Sequence, residues 1–411
     1  MSGAACVIGA GQAGCELALE LRRCGWSRPI VLIGEETHAP YQRPPLSKGY
    51  LGGQVARSAL FLRQAAIYER SAIELRSGCR VDHIDRAGKT LQLSTGEVLR
   101  YACLALTTGG RPRKLSLADS AGVDAASNLL YLRTLDDADK LRARFIRGMR
   151  LVVVGGGYIG LETAAAGIAA GLRVTVLEAM PRVLARVTAP EVSSFYEDVH
   201  RAAGVDLRTN VAVRAFEMSG DGAVCAVHCG DGSQLPADLV VVGIGLIPNA
   251  ELAGAAGLAV HNGIVVDECT RTTDPHIVAA GDCANQPWHD GNRVRLESVQ
   301  NAIEQARAAA ATLAGSPRPY RRTPWFWSEQ YDLRLQMTGL SSGYDQVVLR
   351  GSQAHRSFAL FYFKRSRLLA CDAVNRTQEF MAAKRWIAEG SDLDPSLLAD
   401  DSIPLASSAR Q

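Results

Sequence analysis

A chain of 411 residues is too long for one ordinary domain, and two or three are expected. Its composition, 47% hydrophobic and 21% charged, is that of a globular protein, and a formal net charge of +3 with no basic run among aromatics argues against nucleic-acid binding. Ten cysteines without a Cys-x-x-Cys pair suit free thiols in a reducing compartment, so a cytoplasmic protein is expected.

Read from the start, the chain enters a strand almost at once, so no signal segment is expected. Cys6-Val7-Ile8 leads into Gly9-Ala10-Gly11-Gln12-Ala13-Gly14, then an alanine- and leucine-rich helix, then a second strand, Ile30-Val31-Leu32-Ile33, ending near Glu35. Next comes Tyr41-Gln42-Arg43-Pro44-Pro45-Leu46-Ser47-Lys48. Two consecutive prolines fit neither a helix interior nor a central strand, so a rigid surface segment is expected. Ser94-Thr95-Gly96-Glu97 reads as a hairpin tip, and the strand Cys103-Leu104-Ala105-Leu106 runs into a Pro- and Arg-marked break at residues 107–113, a first boundary. The polar segment 119–128 reads as a mobile connection.

The pattern then repeats. Leu151-Val152-Val153-Val154 launches Gly155-Gly156-Gly157-Tyr158-Ile159-Gly160, and a second strand, Arg173-Val174-Thr175-Val176-Leu177, ends at Glu178. Residues 151–177 are apolar enough to suggest a membrane span, but the glycine cluster, Glu162 and Arg173 fit a buried βαβ unit better, and no membrane association is expected. A meander follows, with turns at Gly220-Asp221-Gly222 and Gly230-Asp231-Gly232. Within it Cys225 and Cys229 are placed on one face of a packed strand rather than at a zinc site. Leu239-Val240-Val241-Val242 ends in Gly243-Ile244-Gly245-Leu246-Ile247-Pro248-Asn249, and Ile277-Val278-Ala279-Ala280-Gly281 ends at Asp282. A helix is expected from Glu297 to about Ala314, closed by Gly315, Pro317 and Pro319. Beyond it lie aromatic strands (Trp325-Phe326-Trp327 and residues 358–363), a helix over 379–389 and a loose tail, an α+β module of its own.

Two glycine fingerprints, each closed by an acid about twenty residues on, imply two dinucleotides. The first glycine makes the turn, the second admits the pyrophosphate, and the third lets the helix pack on its strand. Phosphates then meet a helix N-terminus. The closing carboxylate accepts from the adenosine ribose and repels a 2′-phosphate, so Glu178 argues for NADH over NADPH. Arg182 is expected as a surface or pyrophosphate contact.

These motifs resemble the putidaredoxin reductase-like, FAD-dependent NADH:ferredoxin reductases, with the rubredoxin reductases and dioxygenase ferredoxin reductases as kin. The more specific segments are Pro44-Pro45-Leu46-Ser47-Lys48, Tyr131-Leu132-Arg133-Thr134-Leu135, residues 155–162, residues 243–249, Gly281-Asp282-Cys283-Ala284 and Trp325-Phe326-Trp327-Ser328, of which the first and last are the narrowest. The resemblance covers nearly the whole chain and implies an α/β fold, with two Rossmann-like dinucleotide-binding domains and a C-terminal α+β domain. An FAD domain would take residues 1–108 and 241–314, an NADH domain 109–240, and the C-terminal domain 315–411. It implies FAD contacts at Gly9, Gly11, Ala13, Gly14, Glu35, Arg43, Lys48, Val81, Arg133, Asp282, Val299 and Trp327. NADH would lie on Gly155, Gly157, Gly160 and Glu178, with Gly245 near the nicotinamide. One departure is Gln300, where a close relative has proline after the valine.

Lys48 is the candidate charge beside the flavin and Glu162 its candidate partner; Tyr158 is a candidate gate where the nicotinamide enters. The ordinary alternatives are a solvated lysine, a helix-supporting glutamate and a helix-start aromatic. Disulfide reductases of related fold carry cysteine where this chain carries Lys48, so one-electron delivery to an acidic [2Fe–2S] ferredoxin is expected instead, supplying a haem-thiolate monooxygenase. Candidate docking cations are Arg63, Arg307, Arg334, Lys384 and Arg385. The rival readings are an NADH oxidase or disulfide-type reductase, and a redox-sensing flavoprotein of the apoptosis-inducing-factor type.

Overall fold

The structure, a computed structural model, describes residues 3–117, 123–288 and 291–408, which fall into two compact units. The first unit comprises residues 1–42, 57–111 and 246–324, the second residues 43–56, 112–245 and 325–411. Of the connection expected over 119–128, residues 119–122 lie outside the described residues, as do 409–411 of the tail.

In the first unit, parallel strands stand in the order Ile73–Arg76, Ile30–Ile33, Ala4–Ile8 and Val98–Leu106, with Ile277–Ala279 parallel to the last. The central strands Ala4–Ile8 and Ile30–Ile33 read as unbroken apolar runs because both faces are covered, while the edge strand Ile73–Arg76 carries Glu74 and Arg76. Val7 and Leu32 face one core while Cys6, Ile8 and Val31 face another. The helices Gln12–Arg23 and Val299–Leu313 pack on the first of these faces and on each other. Leu17, Ala18 and Leu21 share one core with Ala302, Ala306, Ala309 and Ala310, and the small alanines let the two backbones close up. The second helix begins at its cap: Ser298 Oγ accepts the Asn301 N–H at 3.1 Å, so Glu297 is left outside it. Ser94 to Glu97 form the turn between Thr90–Leu93 and Val98–Leu106, as the hairpin reading expects.

The second unit contains another parallel sheet, in the order Asp206–Thr209, Arg173–Glu178, Arg150–Val154, Leu239–Val242 and Leu129–Tyr131. Residues 151–177 form the βαβ unit, with helix Tyr158–Ala169 between its strands. Among the described residues no helix is long and apolar enough to cross a membrane. The same unit holds a five-stranded antiparallel sheet, in the order Trp325–Gln330, Leu333–Gly339, Arg367–Val374, Ser357–Lys364 and Gln346–Ser352. Helix Thr377–Glu389 covers it, with Phe380, Ala383 and Trp386 packed on Phe361, Phe363, Cys371 and Ala373. Buried Asp372 of this sheet accepts from the hydroxyls of Thr188 and Tyr362, joining it to the segment that follows Glu178.

Two local expectations fail for physical reasons. Pro44-Pro45 is not a surface segment: Pro44–Ser47 is a 3₁₀ turn whose fixed proline angles start a helix, and Leu46 and Ser47 are buried. Cys225 and Cys229 do not share a face. The pairing skips Cys225 at a bulge, where Glu217 opposes Ala226 and Met218 opposes Val224. Cys229 therefore joins Val224 and Val227 in the core, while the Cys225 thiol donates to the Glu217 carbonyl at 3.4 Å.

Candidate active site

Both fingerprints are cradles that a side chain would fill. Gly9 sits at φ +107°, and a Cβ there would fall 2.2 Å from the Thr107 carbonyl oxygen; one on Gly14 would fall 2.0 Å from that of Gly9. Gly155 sits at φ +108°, with a Cβ 2.5 Å from the Gly243 oxygen, and a Cβ on Gly160 would lie 2.0 Å from the Gly155 oxygen. The middle glycines differ: a Cβ on Gly11 meets nothing within 4 Å, and one on Gly157 meets only the Gly243 oxygen at 4.0 Å. The chain thus packs tightly behind each turn and leaves open space in front. Gly11 and Gly157 are the N-caps of their helices and bring no side-chain cap, which leaves first-turn N–H groups for an anion.

The acids behave differently from each other. Glu178 is tied into its own fingerprint: one oxygen accepts the Gly156 N–H at 2.6 Å, the other the Met180 N–H at 2.7 Å. Its remaining lone pairs are free to accept ribose hydroxyls. Glu35 is largely exposed, with Arg80 at 3.8 Å. Arg182 is neither a surface cation nor aimed at a pyrophosphate. Its guanidinium donates to the carbonyls of Ala185 and Thr188 and to Ser193 Oγ at 2.6–3.0 Å, holding the loop before helix Pro190–Ala202. Gly245, at φ +112°, faces Arg186.

The other expected cofactor residues are distributed as follows. In the first unit, Ala13 lies under Gly281, whose φ of +83° keeps that position free of a side chain, and Asp282 follows directly, half-buried. Val81 turns its side chain into the core, so its backbone is what it offers a ligand. Val299 opens its helix half-buried, and the departure Gln300 is buried beside it. In the second unit, Arg43 Nη1 donates to the Arg133 carbonyl at 2.8 Å, and Trp327 lies 5.7 Å from Trp325 between ring centroids.

Lys48 and Glu162 meet. Tyr158 and Glu162 are four residues apart and so share one face of their helix. Phe326 and Ser328 are two apart and share one face of strand Trp325–Gln330. These faces oppose each other: the Tyr158 ring packs on Phe326 at 4.8 Å, and its hydroxyl donates to Met337 Sδ at 2.9 Å. Burial pushes this phenol well above its ordinary pKa. One turn further, Glu162 is 3% exposed and fully engaged. Its Oε2 accepts Ser47 Oγ–H at 2.5 Å and Lys48 Nζ at 2.8 Å; its Oε1 accepts Ser328 Oγ–H at 2.6 Å. Lys48 also reaches the Pro44 carbonyl at 3.3 Å. Sequence reasoning missed Ser47 and Ser328 as partners, although both lie in segments it had singled out.

The cysteines offer no redox pair at this centre. Cys6 and Cys103 belong to the first unit's cores, where burial pushes their thiols up to about 12, and Cys283, next to Asp282, is raised by full burial too. Such thiols are poor nucleophiles at neutral pH.

The expected docking cations are not all alike. In the first unit, Arg307 makes two 2.8 Å contacts with buried Glu16, and Arg63 approaches the same carboxylate at 3.9 Å. Arg23 bridges Glu16 and Glu20, so three guanidiniums share two carboxylates. In the second unit, Lys384 lies over the Trp325 ring at 5.3 Å, Arg385 stands 4.0 Å from Glu389, and Arg334 is exposed.

Residues 4–306 match the pyridine nucleotide-disulphide oxidoreductase family, and residues 325–409 match the reductase C-terminal family. The chain belongs to the pyridine nucleotide-disulphide oxidoreductases, among the ferredoxin reductases. It is 51% identical to putidaredoxin reductase CamA of Pseudomonas putida over 97% of this chain and 95% of that one. The structure of a covalent putidaredoxin reductase–putidaredoxin complex superposes with a TM-score of 0.96 at 50% identity, covering 98% of this chain and 97% of that one. A ferredoxin reductase for the CYP199A2 system from Rhodopseudomonas palustris gives a TM-score of 0.95 at 44% identity, covering 99% and 100%. As a member of this family the chain is a flavoprotein oxidoreductase with FAD as cofactor and NAD(P)H as reductant. Its two glycine cradles fit two such dinucleotides.

Proposed function

We propose that this protein is an NADH:ferredoxin reductase that draws electrons from NADH and passes them singly to a [2Fe–2S] ferredoxin. When bound, FAD supplies the chemistry, taking a hydride and releasing electrons one at a time. The chain's own residues bind, orient and charge the site. The FAD-binding part is assigned to residues 1–108 and 241–314, the NADH-binding part to 109–240 and the C-terminal domain to 315–411. Residues 9–14, Glu35 and Asp282 hold FAD, and residues 155–160 with Glu178 hold NADH. Lys48 provides a cation beside the flavin, Glu162 fixes it, and Tyr158 gives way to the nicotinamide.

The observation that carries this reading is the Lys48–Glu162 pair at 2.8 Å on a turn that has no cysteine. A disulfide-type reductase needs a thiol there; a one-electron donor does not. Two structural relatives, one solved in complex with putidaredoxin and one serving the CYP199A2 system, support a redoxin partner and a haem-thiolate monooxygenase downstream. Rapid mixing with NADH tests the reading: fast flavin bleaching followed by ferredoxin reduction supports it, while slow hydride transfer with a long-lived charge-transfer band points to a sensor instead.

NADH preference follows from Glu178. Replacing it with Ala removes charged hydrogen bonds of about 1.5–3 kcal/mol, so NADH affinity should fall on the order of ten- to a hundredfold. Titration with NADH and NADPH checks this; equal affinity of the unmodified protein for both would remove Glu178 as the selector.

The docking face is assigned to Arg63, Arg307, Arg334, Lys384 and Arg385. Attraction of an acidic redoxin weakens with salt because the screening length is only about 10 Å at 0.1 M. Higher ionic strength should therefore lower ferredoxin-linked turnover while reduction of a small neutral dye by NADH holds steady. Arg334→Glu or Arg385→Glu should reproduce that selective loss. Arg307 is a poorer probe, because its removal uncovers buried Glu16. An equal response of both activities to salt would rule the basic face out.

A further inference from the structure

Glu162 is held from behind as well as from in front. Ser328 Oγ, which donates to Glu162 Oε1, itself accepts Gln330 Nε2 at 3.2 Å. Gln330 Oε1 lies 2.8 Å from His200 Nε2, and His200 Nδ1 lies 2.9 Å from the Tyr331 hydroxyl. Ser328, Gln330 and His200 are buried, while Tyr331, in the turn after the strand, is 37% exposed. A line of hydrogen bonds thus runs from the edge of the second unit to the carboxylate that holds Lys48.

The direction of each bond follows from the carboxylate end. A carboxylate only accepts, so Ser328 donates to it and keeps a lone pair for the Gln330 amide N–H. Gln330 then shows its carbonyl to His200, so Nε2 must carry the ring proton. That leaves Nδ1 bare, and Tyr331 donates to it. Burial depresses the proton affinity of His200, which keeps the ring neutral with a single N–H. Every donor points toward Glu162, and aligned bonds polarise one another most where the surroundings are dry.

We propose that Ser328, Gln330, His200 and Tyr331 are positioning residues, a one-way hydrogen-bond chain that holds the Glu162 carboxylate in place with Oε2 aimed at Lys48. The inference rests on the reading of Lys48 and Glu162 given above. The chain orients and polarises; it does not conduct protons, because the Gln330 amide does not readily give up an N–H.

Nitrogen-15 spectra of imidazole-labelled, FAD-loaded protein test it without reference to activity. His200 should show a protonated Nε2 and a bare Nδ1, and in Tyr331→Phe the Nδ1 signal should move. A protonated Nδ1, or a signal indifferent to Tyr331→Phe, overturns the chain. Kinetically, Ser328→Ala should slow flavin reduction at saturating NADH on the order of tenfold while leaving the NADH dissociation constant unchanged, and Ser328→Thr should restore the rate. If Ser328→Ala is as fast as the unmodified protein while Lys48→Ala is slow, the chain is dispensable and this inference alone fails. If Lys48→Ala is fast as well, the reading of the pair falls with it.

Discussion

Lys48→Ala and Glu162→Ala each slow flavin reduction by NADH, and the double variant is little slower than the worse single one. The expectation comes from the geometry: Lys48 donates to Glu162 at 2.8 Å, and Glu162 has only hydroxyls on its other contacts. Losing a charge-assisted bond of about 1.5–3 kcal/mol predicts a slowing on the order of ten- to a hundredfold for either change. Two residues that act as one unit lose that contribution once, so the double-mutant cycle shows a large coupling. Glu162→Ala also strands Lys48 and two buried hydroxyls, and breaking such a pair costs about 3–5 kcal/mol of stability. Glu162→Gln keeps the shape and separates the two effects. Strictly additive losses would show that the residues contact each other without working together.

Gly160→Ala and Gly157→Ala, three positions apart, should fail in different ways. At 160 the new Cβ falls 2.0 Å from the Gly155 backbone oxygen, so helix and turn must part. Overpacking against backbone costs about 3 kcal/mol or more, and the displaced N–H groups no longer face the phosphates. At 157 the new Cβ stands 4.0 Å from the Gly243 carbonyl oxygen and the fold tolerates it, but the methyl occupies the approach a pyrophosphate needs. Thermal melts and NADH titrations should show lower stability with lost binding for Gly160→Ala, and unchanged stability with weakened binding for Gly157→Ala. Undiminished NADH affinity in both would mean that NADH does not use this turn.

Those two glycine turns were legible from sequence because everything they need is local: strand, turn, helix and acid lie within some twenty residues. The Lys48–Glu162 contact spans 114 positions and was named only through a family resemblance. Ser328 escaped notice because a serine hydroxyl leaves no pattern, although it sits in the Trp-Phe-Trp-Ser segment that sequence reading marked for its tryptophans. Pro44-Pro45 misled because prolines that forbid a helix interior also start a helical turn well. Cys225 misled because alternation assumes an unbroken strand, and one extra residue shifts every side chain after it. Arg307 looked like a docking cation because its partner, Glu16, lies 291 residues away. Strand and helix identities follow short-range pattern; the partners of charged side chains follow the fold.

The most direct test of the central claim is anaerobic mixing of FAD-loaded protein with NADH and then with an excess of oxidised [2Fe–2S] ferredoxin, following flavin and iron–sulfur absorbance together. A hydride carries two electrons and the cluster accepts one, so two ferredoxins should be reduced for each NADH consumed, with the flavin returning to its oxidised spectrum. A flavin that bleaches with NADH and stays bleached before ferredoxin, yet recovers with a disulfide, would contradict it.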